Sequence, residues 1–443
     1  MVDTIYALSS GPGPAGISVF RVSGTESGAV LRALTGGRDM PPARKAMRAA
    51  LMDPEEGGPL DDAIAIWFPG PNSYSGEDMV ELHVHGGPAV IAATLRVLAA
   101  RPGLRLAEPG EFTRRAFMAG KMDLTEAEGI ADLIAAETEA QRRQAIRQAE
   151  GALGRLYEGW RKVLVGATAH SEAYIDFPDE ELPDEISRRI NHEISGLVEA
   201  IFQHLDDSQR GERLRQGLDI AIVGPPNAGK SSLLNRLARR DAAIVSERAG
   251  TTRDVIDVAM DLGGYPVMLA DTAGLREAAD SVEEEGVRRA RQRAEAADLR
   301  ILVVDGRDEA GFGDVAGLVG ESTILVLNKA DLGVSRIEPP APNLGVYAIS
   351  VETGAGIGVF LDGLEQVVRD RIGLAGQPAL TRARHRQALE ECLDALRRSL
   401  EAPLPELAAE DLRLAVRALG RITGRVDVED LLDVIFRDFC IGK

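Results

Sequence analysis

The chain reads as a multidomain protein: an N-terminal α+β domain, an all-α domain that is discontinuous in sequence, and an α/β domain inserted into it. Three observations predict this. Short β-rich runs between Gly/Pro clusters fill residues 1–120, apolar residues at helical spacing begin near Lys121 and return after Pro378, and apolar strand-like runs alternate with helical segments over 217–380. A length of 443 residues fits about three domains of roughly 150 residues each.

In order, the runs from Ile17 to Val22 and from Ala63 to Phe68 lie between GPGPAG, FPGPNSYSG and HGGP, which predicts strands joined by turns. From Lys121, Leu124, Ala127, Ile130, Ala131 and Ile134 recur at helical spacing, and Asp123 with Glu126 forms a capping-box start. Long helices are predicted over 121–215, interrupted by the acidic, Pro-containing stretch from Ile175 to Glu181. The runs Ile220 to Val223, Val267 to Ala270, Ile301 to Val304 and Ile324 to Leu327 have the βαβ rhythm of a mostly parallel sheet. Helices return from Arg382 to Leu400 and from Leu404 to Phe439, and their apolar faces need 121–215 as a partner. The expected boundaries are therefore 1–120, 121–216, 217–380 and 381–443.

The net charge of −19 argues against binding nucleic acid by coating its phosphates. That charge is uneven: residues 1–120 carry −2, 121–216 carry −8, 217–380 carry −8 and 381–443 carry −1. Any nucleic-acid contact is expected on a restricted surface, such as the one around Arg114, Arg115 and Lys121, or through a partner subunit. The cysteines, Cys392 and Cys440, form no disulfide framework and no C-x-x-C site, which fits a reducing compartment. Without a basic, apolar leader or an apolar run of 18 residues, a cytoplasmic location with no membrane partner is expected.

The run from Gly224 to Ser231 satisfies G-x-x-x-x-G-K-S directly after a predicted strand and before a predicted helix. Glycines let backbone N–H groups wrap phosphates, Lys230 brings positive charge to the β- and γ-phosphates, and the Ser231 hydroxyl suits Mg²⁺. Asn328-Lys329-Ala330-Asp331 selects guanine, because the Asp331 carboxylate can accept from N1–H and the exocyclic amine, whereas adenine offers no such donor pair. Asp271-Thr272-Ala273-Gly274 places an acidic group beside Mg²⁺ and a glycine near the γ-phosphate, while Thr251 and Thr252 lie where a switch threonine completes the metal's shell. These motifs, in this order, predict a GTPase. Leu275 stands where Ras-like GTPases carry a water-orienting Gln, so hydrolysis must be arranged differently. Asn227 offers a neutral oxygen for a monovalent cation, and Glu283 could polarise water or simply face solvent.

With the G-P-P-N-A-G-K-S loop, the chain resembles the MnmE (TrmE) family of tRNA modification GTPases over its whole length. The matching stretches are Gly70 to Asp78, Gly110 to Phe117, Ala249 to Asp254, Asp271 to Arg276 and the ending Cys440-Ile441-Gly442-Lys443. The resemblance implies an N-terminal α+β folate-binding-like domain that also forms a homodimer, a discontinuous all-α helical domain and an inserted α/β Ras-like P-loop GTPase domain. It further implies K⁺-dependent pairing of the GTPase domains and a flavoprotein partner, MnmG, that holds FAD. Together they build an aminomethyl or carboxymethylaminomethyl group at carbon 5 of the wobble uridine, with 5,10-methylene- or 5-formyl-tetrahydrofolate supplying the one-carbon unit.

Carried over by position, the family's nucleotide contacts fall on Asn227, Ala228, Gly229, Lys230, Ser231 and Ser232, and on Ser246, Glu247, Arg248, Ala249, Gly250, Thr251 and Thr252. They continue on Asp271, Thr272, Ala273 and Gly274, on Asn328, Lys329, Ala330 and Asp331, and on Ser350, Val351 and Glu352. Potassium falls on Asn227, Ser246, Arg248 and Thr251, magnesium on Ser231 and Thr252, and the water-orienting glutamate on Glu283. The family's base-backing S-A-[RK] reads Ser350-Val351-Glu352 here. For folate the resemblance points to Arg21, Glu81, Lys121 and Lys443, a set whose carboxylate can pair a pterin's donor edge and whose cations suit a glutamyl tail. Strand alternation puts Glu81, His83 and His85 on one face, which also reads as a metal site or a pocket lining. Cys440 is either a thiolate that handles the uridine or a packing residue, and Cys392 is expected in the core. The rival readings are a ribosome-assembly GTPase switch and a stand-alone folate-dependent transferase with a regulatory GTPase.

Overall fold

In the computed structural model the described residues are 3–11, 13–176, 184–207, 209–238, 257–271, 295–335, 339–373, 378–426, 429–437 and 439–442. They belong to two compact units. One comprises Met1–Ala131, Ala149–Glu158 and Leu419–Lys443, and the other Asp132–Gln148 and Gly159–Ala418.

The first unit is built on a six-stranded sheet of β1 (Thr4–Leu8), β2 (Ala15–Ser23), β3 (Ala46–Met52), β4 (Pro59–Phe68), β5 (Met79–Gly86) and β6 (Leu104–Leu106), in the order β3-β4-β5-β2-β1-β6. All neighbours are antiparallel except β1 and β6. Period-two alternation sends Phe20, Val22, Val80, Leu82 and Val84 to a face covered by the helices Ser27–Leu34 and Pro88–Ala99. Arg21, opposite Glu81 in the β2–β5 register, is left on the other face with the helix Glu111–Met118.

The helix Leu124–Ile134 begins on the expected capping box: Glu126 N–H donates to Asp123 Oδ1 at 3.0 Å and Asp123 N–H to Glu126 Oε2 at 2.7 Å. Its Leu124 and Ala127 share a core with Leu432, Ile435, Phe436 and Phe439. The predicted helix from Leu404 to Phe439 is instead two, Pro405–Thr423 and Glu429–Arg437. Gly424 adopts φ +84°, and Arg425 N–H turns back to Gly420 O at 2.8 Å. Both helices have apolar residues at the same period, so spacing alone does not reveal the turn between them.

The second unit holds a sheet of β7 (Leu218–Val223), β8 (Asp257–Leu262), β9 (Tyr265–Asp271), β10 (Leu299–Asp305), β11 (Thr323–Asn328) and β12 (Gly345–Ala348), in the order β12-β11-β10-β7-β9-β8. Only the β8–β9 pair is antiparallel. Both faces are buried, Ile220, Ile222, Ile301 and Val303 on one and Ala221, Val223, Leu302 and Val304 on the other, which explains the unbroken apolar runs. The helix Ala152–Asp176 ends within the acidic stretch, the next is Asp184–Leu205, and 177–183 lie outside the described residues. The helix Ala383–Glu401 packs on Asp184–Leu205 and buries Cys392, as expected; burial pushes its thiol up to about 12. Among the described residues no helix is long and apolar enough to cross a membrane.

Candidate functional site

The described residues expected to hold nucleotide lie just beyond, or at, the C-terminal ends of parallel strands. β7 runs into Gly224, β9 ends at Asp271, β11 ends at Asn328, and β12 is followed by Ser350-Val351-Glu352. Open α/β sheets bind ligands along this edge.

Between β7 and the helix Lys230–Ala238 the chain forms a cradle that only small residues permit. Gly224 has φ +145°, and a Cβ there would stand 2.0 Å from Val303 O. Gly229 has φ +100°, and its Cβ would stand 2.2 Å from Asn328 Nδ2. Asn227 takes the left-handed region at φ +59°, a strain that a short amide side chain tolerates. Lys230 Nζ donates to Gly224 O and Pro225 O, each at 2.8 Å, so its charge sits over the loop where phosphates would lie. Ser231 and Ser232 occupy the first helical turn, both exposed.

Asn328 joins this cradle to the base-binding loops. Its buried amide donates to Ala228 O at 2.8 Å and accepts from Val351 N–H at 3.1 Å. Lys329, at φ +62°, places Nζ 2.9 Å from Asp305 Oδ2. The Arg307 guanidinium and Lys329 outweigh desolvation and hold the Asp305 carboxyl well below the usual range. Ala330 N–H donates to Ile349 O at 2.9 Å, leaving Asp331 exposed on the short turn Ala330–Leu332. Ser350 is buried, its Oγ accepting from Thr353 N–H at 3.1 Å. The guanidinium of Arg236 donates to Val351 O and, at 3.2 Å, to Glu352 O. These are backbone acceptors, so Val351 and Glu352 supply them as the family's Ala and basic residue would.

Motif spacing singles out neither Arg236 nor Asp305. Asp305 did carry a signal, since it closes an apolar strand as Asp271 does. Among the described residues, a cleft of about 600 Å³ beside the helix Lys230–Ala238 is lined by Ser232 and Val351 of the expected nucleotide residues and by Arg236. Ser246, Glu247, Arg248, Ala249, Gly250, Thr251, Thr252, Thr272, Ala273, Gly274, Glu283 and Lys443 lie outside the described residues.

Of the expected folate residues, Arg21 and Glu81 meet on the face of the first sheet opposite Phe20. Arg21 donates through Nε at 3.2 Å and Nη2 at 2.8 Å to Glu81 Oε1, with its guanidinium carbon 5.0 Å from the Tyr74 ring centroid and 5.6 Å from that of Phe112. Glu81 Oε2 is the less engaged oxygen, and His83 Nε2 lies 3.5 Å from it, buried and without a hydrogen bond. A ring nitrogen without a hydrogen bond, 3.5 Å from a carboxylate, fits the polar edge of a pterin. Lys121 Nζ donates to Pro71 O at 2.8 Å and so joins the loop that carries Tyr74. His85 turns away to Asp61, Nδ1 to Oδ1 at 2.8 Å, so the three-residue face is not gathered around one point.

The basic surface expected for RNA is not a free one. Arg115 has only 11% of its side chain exposed and is shared between Glu77 and Glu111, and Arg114 pairs with Asp433 at 2.9 Å. Sequence neighbours do not reveal such partners, because Glu77 and Asp433 come from distant segments. Cys440 is exposed, while Phe439 beside it is buried and packs the segment.

Two family models match successive parts of the chain. The model described as GTP-binding protein TrmE N-terminus matches residues 4–121, and the MnmE helical domain model matches 124–440. The tRNA modification GTPase MnmE of Parvibaculum lavamentivorans is 59% identical and that of Rhodospirillum rubrum 56%, each match covering 100% of both chains. The human 5-taurinomethyluridine-[tRNA] synthase subunit GTPB3, mitochondrial, is 50% identical over 99% of this chain and 93% of its own. With a built phosphate cradle and full-length identity above half, the chain belongs to the MnmE (TrmE) family.

Proposed function

We propose that this GTPase is potassium-activated and works with an MnmG-like flavoprotein to form 5-carboxymethylaminomethyl or aminomethyl groups on the wobble uridine of certain tRNAs. The observation that carries the reading is Asn328, which ties a G-x-x-x-x-G-K-S cradle to the Asp331 and Ser350 loops in a chain that matches the family from end to end.

In this reading Gly224, Asn227, Ala228 and Gly229 wrap the phosphates, and Lys230 leaves its loop carbonyls to meet the β- and γ-oxygens. Asp331 accepts from the guanine edge while Asn328 keeps the loops in register. Ser231 and Thr252 would hold Mg²⁺, and Asn227, Ser246, Arg248 and Thr251 would hold K⁺. Bound there, the two cations supply positive charge against the charge that develops on the phosphates. Glu283 orients water. Arg21, Glu81, Lys121 and Lys443 bind tetrahydrofolate, 5,10-methylene or 5-formyl, and FAD belongs to the flavoprotein. Residues 1–120 form the folate and homodimer domain, 121–216 with 381–443 the helical domain, and 217–380 the GTPase domain.

The test has two arms. GTP turnover is expected to rise at least tenfold when KCl replaces NaCl at equal ionic strength, and equal rates overturn the potassium mechanism. Nucleoside mass spectrometry of tRNA from cells with and without the protein is expected to show loss of the modified wobble uridine, and an unchanged profile overturns the tRNA role.

A further inference from the structure

The loop after β12 departs from the family's base-backing pattern, reading Ser350-Val351-Glu352 with an acidic residue where the family has a basic one. A cation nevertheless reaches this loop, from the helix of the phosphate cradle. Arg236 lies in the second turn of the helix Lys230–Ala238, whose first turn carries Lys230 and Ser231. Its Nη1 donates to Val351 O and, at 3.2 Å, to Glu352 O, the two carbonyls at the loop's tip.

The rest of the loop closes on itself. Ser350 N–H donates to Ala355 O at 2.9 Å, Gly354 N–H to Ser350 O at 2.8 Å and Thr353 N–H to Ser350 Oγ at 3.1 Å. Gly354 makes room for the guanidinium: its φ is +89°, and a Cβ there would stand 2.4 Å from Arg236 Nη2.

The donors of the tip can be followed one by one. Val351 N–H is spent on Asn328 Oδ1 at 3.1 Å and Thr353 N–H on Ser350, while among the described residues no acceptor meets Glu352 N–H. That N–H belongs to the same peptide unit as Val351 O, which Arg236 holds. In a trans peptide the two groups point opposite ways, so the donor faces away from Arg236. A charge-assisted hydrogen bond to the carbonyl polarises the unit and strengthens its N–H as a donor. Guanine carries one acceptor, O6, next to the N1–H and amine that suit Asp331. Adenine carries an amine there, a donor that a strengthened N–H repels.

We propose that Arg236 is a positioning residue that sets guanine specificity: it fixes and polarises the Val351–Glu352 peptide so that Glu352 N–H meets O6. The helix thereby supplies the positive charge that residue 352 does not. Arg236 acts through the loop, and the inference rests on the guanine reading of Asp331 and the Ser350 loop given above.

The test measures dissociation constants of the full-length protein for three diphosphates. GDP carries O6 and the amine, inosine diphosphate carries O6 alone, and 6-thio-GDP keeps the amine but has sulfur, a weak acceptor, in place of O6. Arg236→Ala is expected to weaken GDP and inosine diphosphate by about tenfold or more and 6-thio-GDP by less than about threefold, because only the first two lose a bond that Arg236 strengthens. Arg236→Met keeps the stem of the side chain and removes its donors. It is expected to give the same order and serves where Arg236→Ala does not fold.

A residue that merely shapes the site weakens all three nucleotides by one factor. Equal losses, or losses below about threefold throughout, therefore overturn the proposal. In the unaltered protein GDP is expected to bind roughly 100-fold tighter than ADP or better. Absence of that preference overturns the guanine reading and the proposal with it, whereas a preference that holds while the three losses are equal overturns the proposal alone.

Discussion

Asn328 spends both ends of one amide on the protein: the –NH₂ secures the phosphate loop and the oxygen secures the loop behind the base. Asn328→Ala leaves Ala228 O and Val351 N–H without these partners, at about 1–3 kcal/mol for each. Affinity for a fluorescent GDP should fall by roughly 30- to 25,000-fold, and a change under threefold shows that the loops hold each other without it. Glu111 is the matching case in the first unit. Burial alone would raise its carboxyl, but hydrogen bonds from Arg105, the Glu108 N–H and Arg115 bring it from 4.5 down to about 2. Because the folded value is depressed, this stabilisation is complete above about pH 4.5 and is lost as pH falls towards 2. Urea unfolding between these limits should show a steep loss of stability in the unaltered protein and a shallower one in Glu111→Gln. Identical slopes would mean that the unfolded chain keeps the same pairing.

Turns decide the elements here as much as periodicity does. Gly424 lies between the helices Pro405–Thr423 and Glu429–Arg437, and a Cβ there would stand 2.7 Å from Leu124 Cγ and from the Phe117 ring. Gly424→Ala should cost about 2–3 kcal/mol, the left-handed backbone and the contact acting together. Its urea midpoint should drop clearly, and a drop within error means that the turn has slack. The turn also marks where sequence stops being informative. The strands that contain Ile220, Ile301 and Ile324 and the Asp123–Glu126 cap are legible because each rests on residues within one element. The P-loop is legible for the same reason, its glycines, lysine and serine standing within eight positions. Gly424, the Arg115–Glu77 pair and the Arg236 brace are not, because each depends on a partner that only the folded chain brings near. Arg114 and Arg115 look like a basic patch in sequence and become partners of Asp433, Glu77 and Glu111 in space.

As a whole, the chain carries its expected ligands in different units: nucleotide residues in Asp132–Gln148 with Gly159–Ala418, and folate residues in the other. Excess GDP, at about 100 times its Kd, should stabilise the second by about 2.7 kcal/mol, and 5-formyl-tetrahydrofolate should act on the first. Calorimetry is expected to resolve two transitions that the ligands shift separately, and equal shifts of both by either ligand would deny that separation. The first unit also has an order of assembly written into it. Ser9 Oγ donates to Gly442 O at 2.9 Å, Pro109 bridges Ile441, and Gly442 lies so close to β1 that a Cβ would stand 2.3 Å from Leu8 O. At about 5–20 residues per second, a ribosome needs roughly 20–90 seconds to make the partner that Ser9 awaits. Through that interval β1 lacks its last neighbour, while the GTPase sheet, closed within one stretch of chain, already has all its strands. Translation speed and chaperone occupancy should therefore govern the yield of the first unit far more than that of the second.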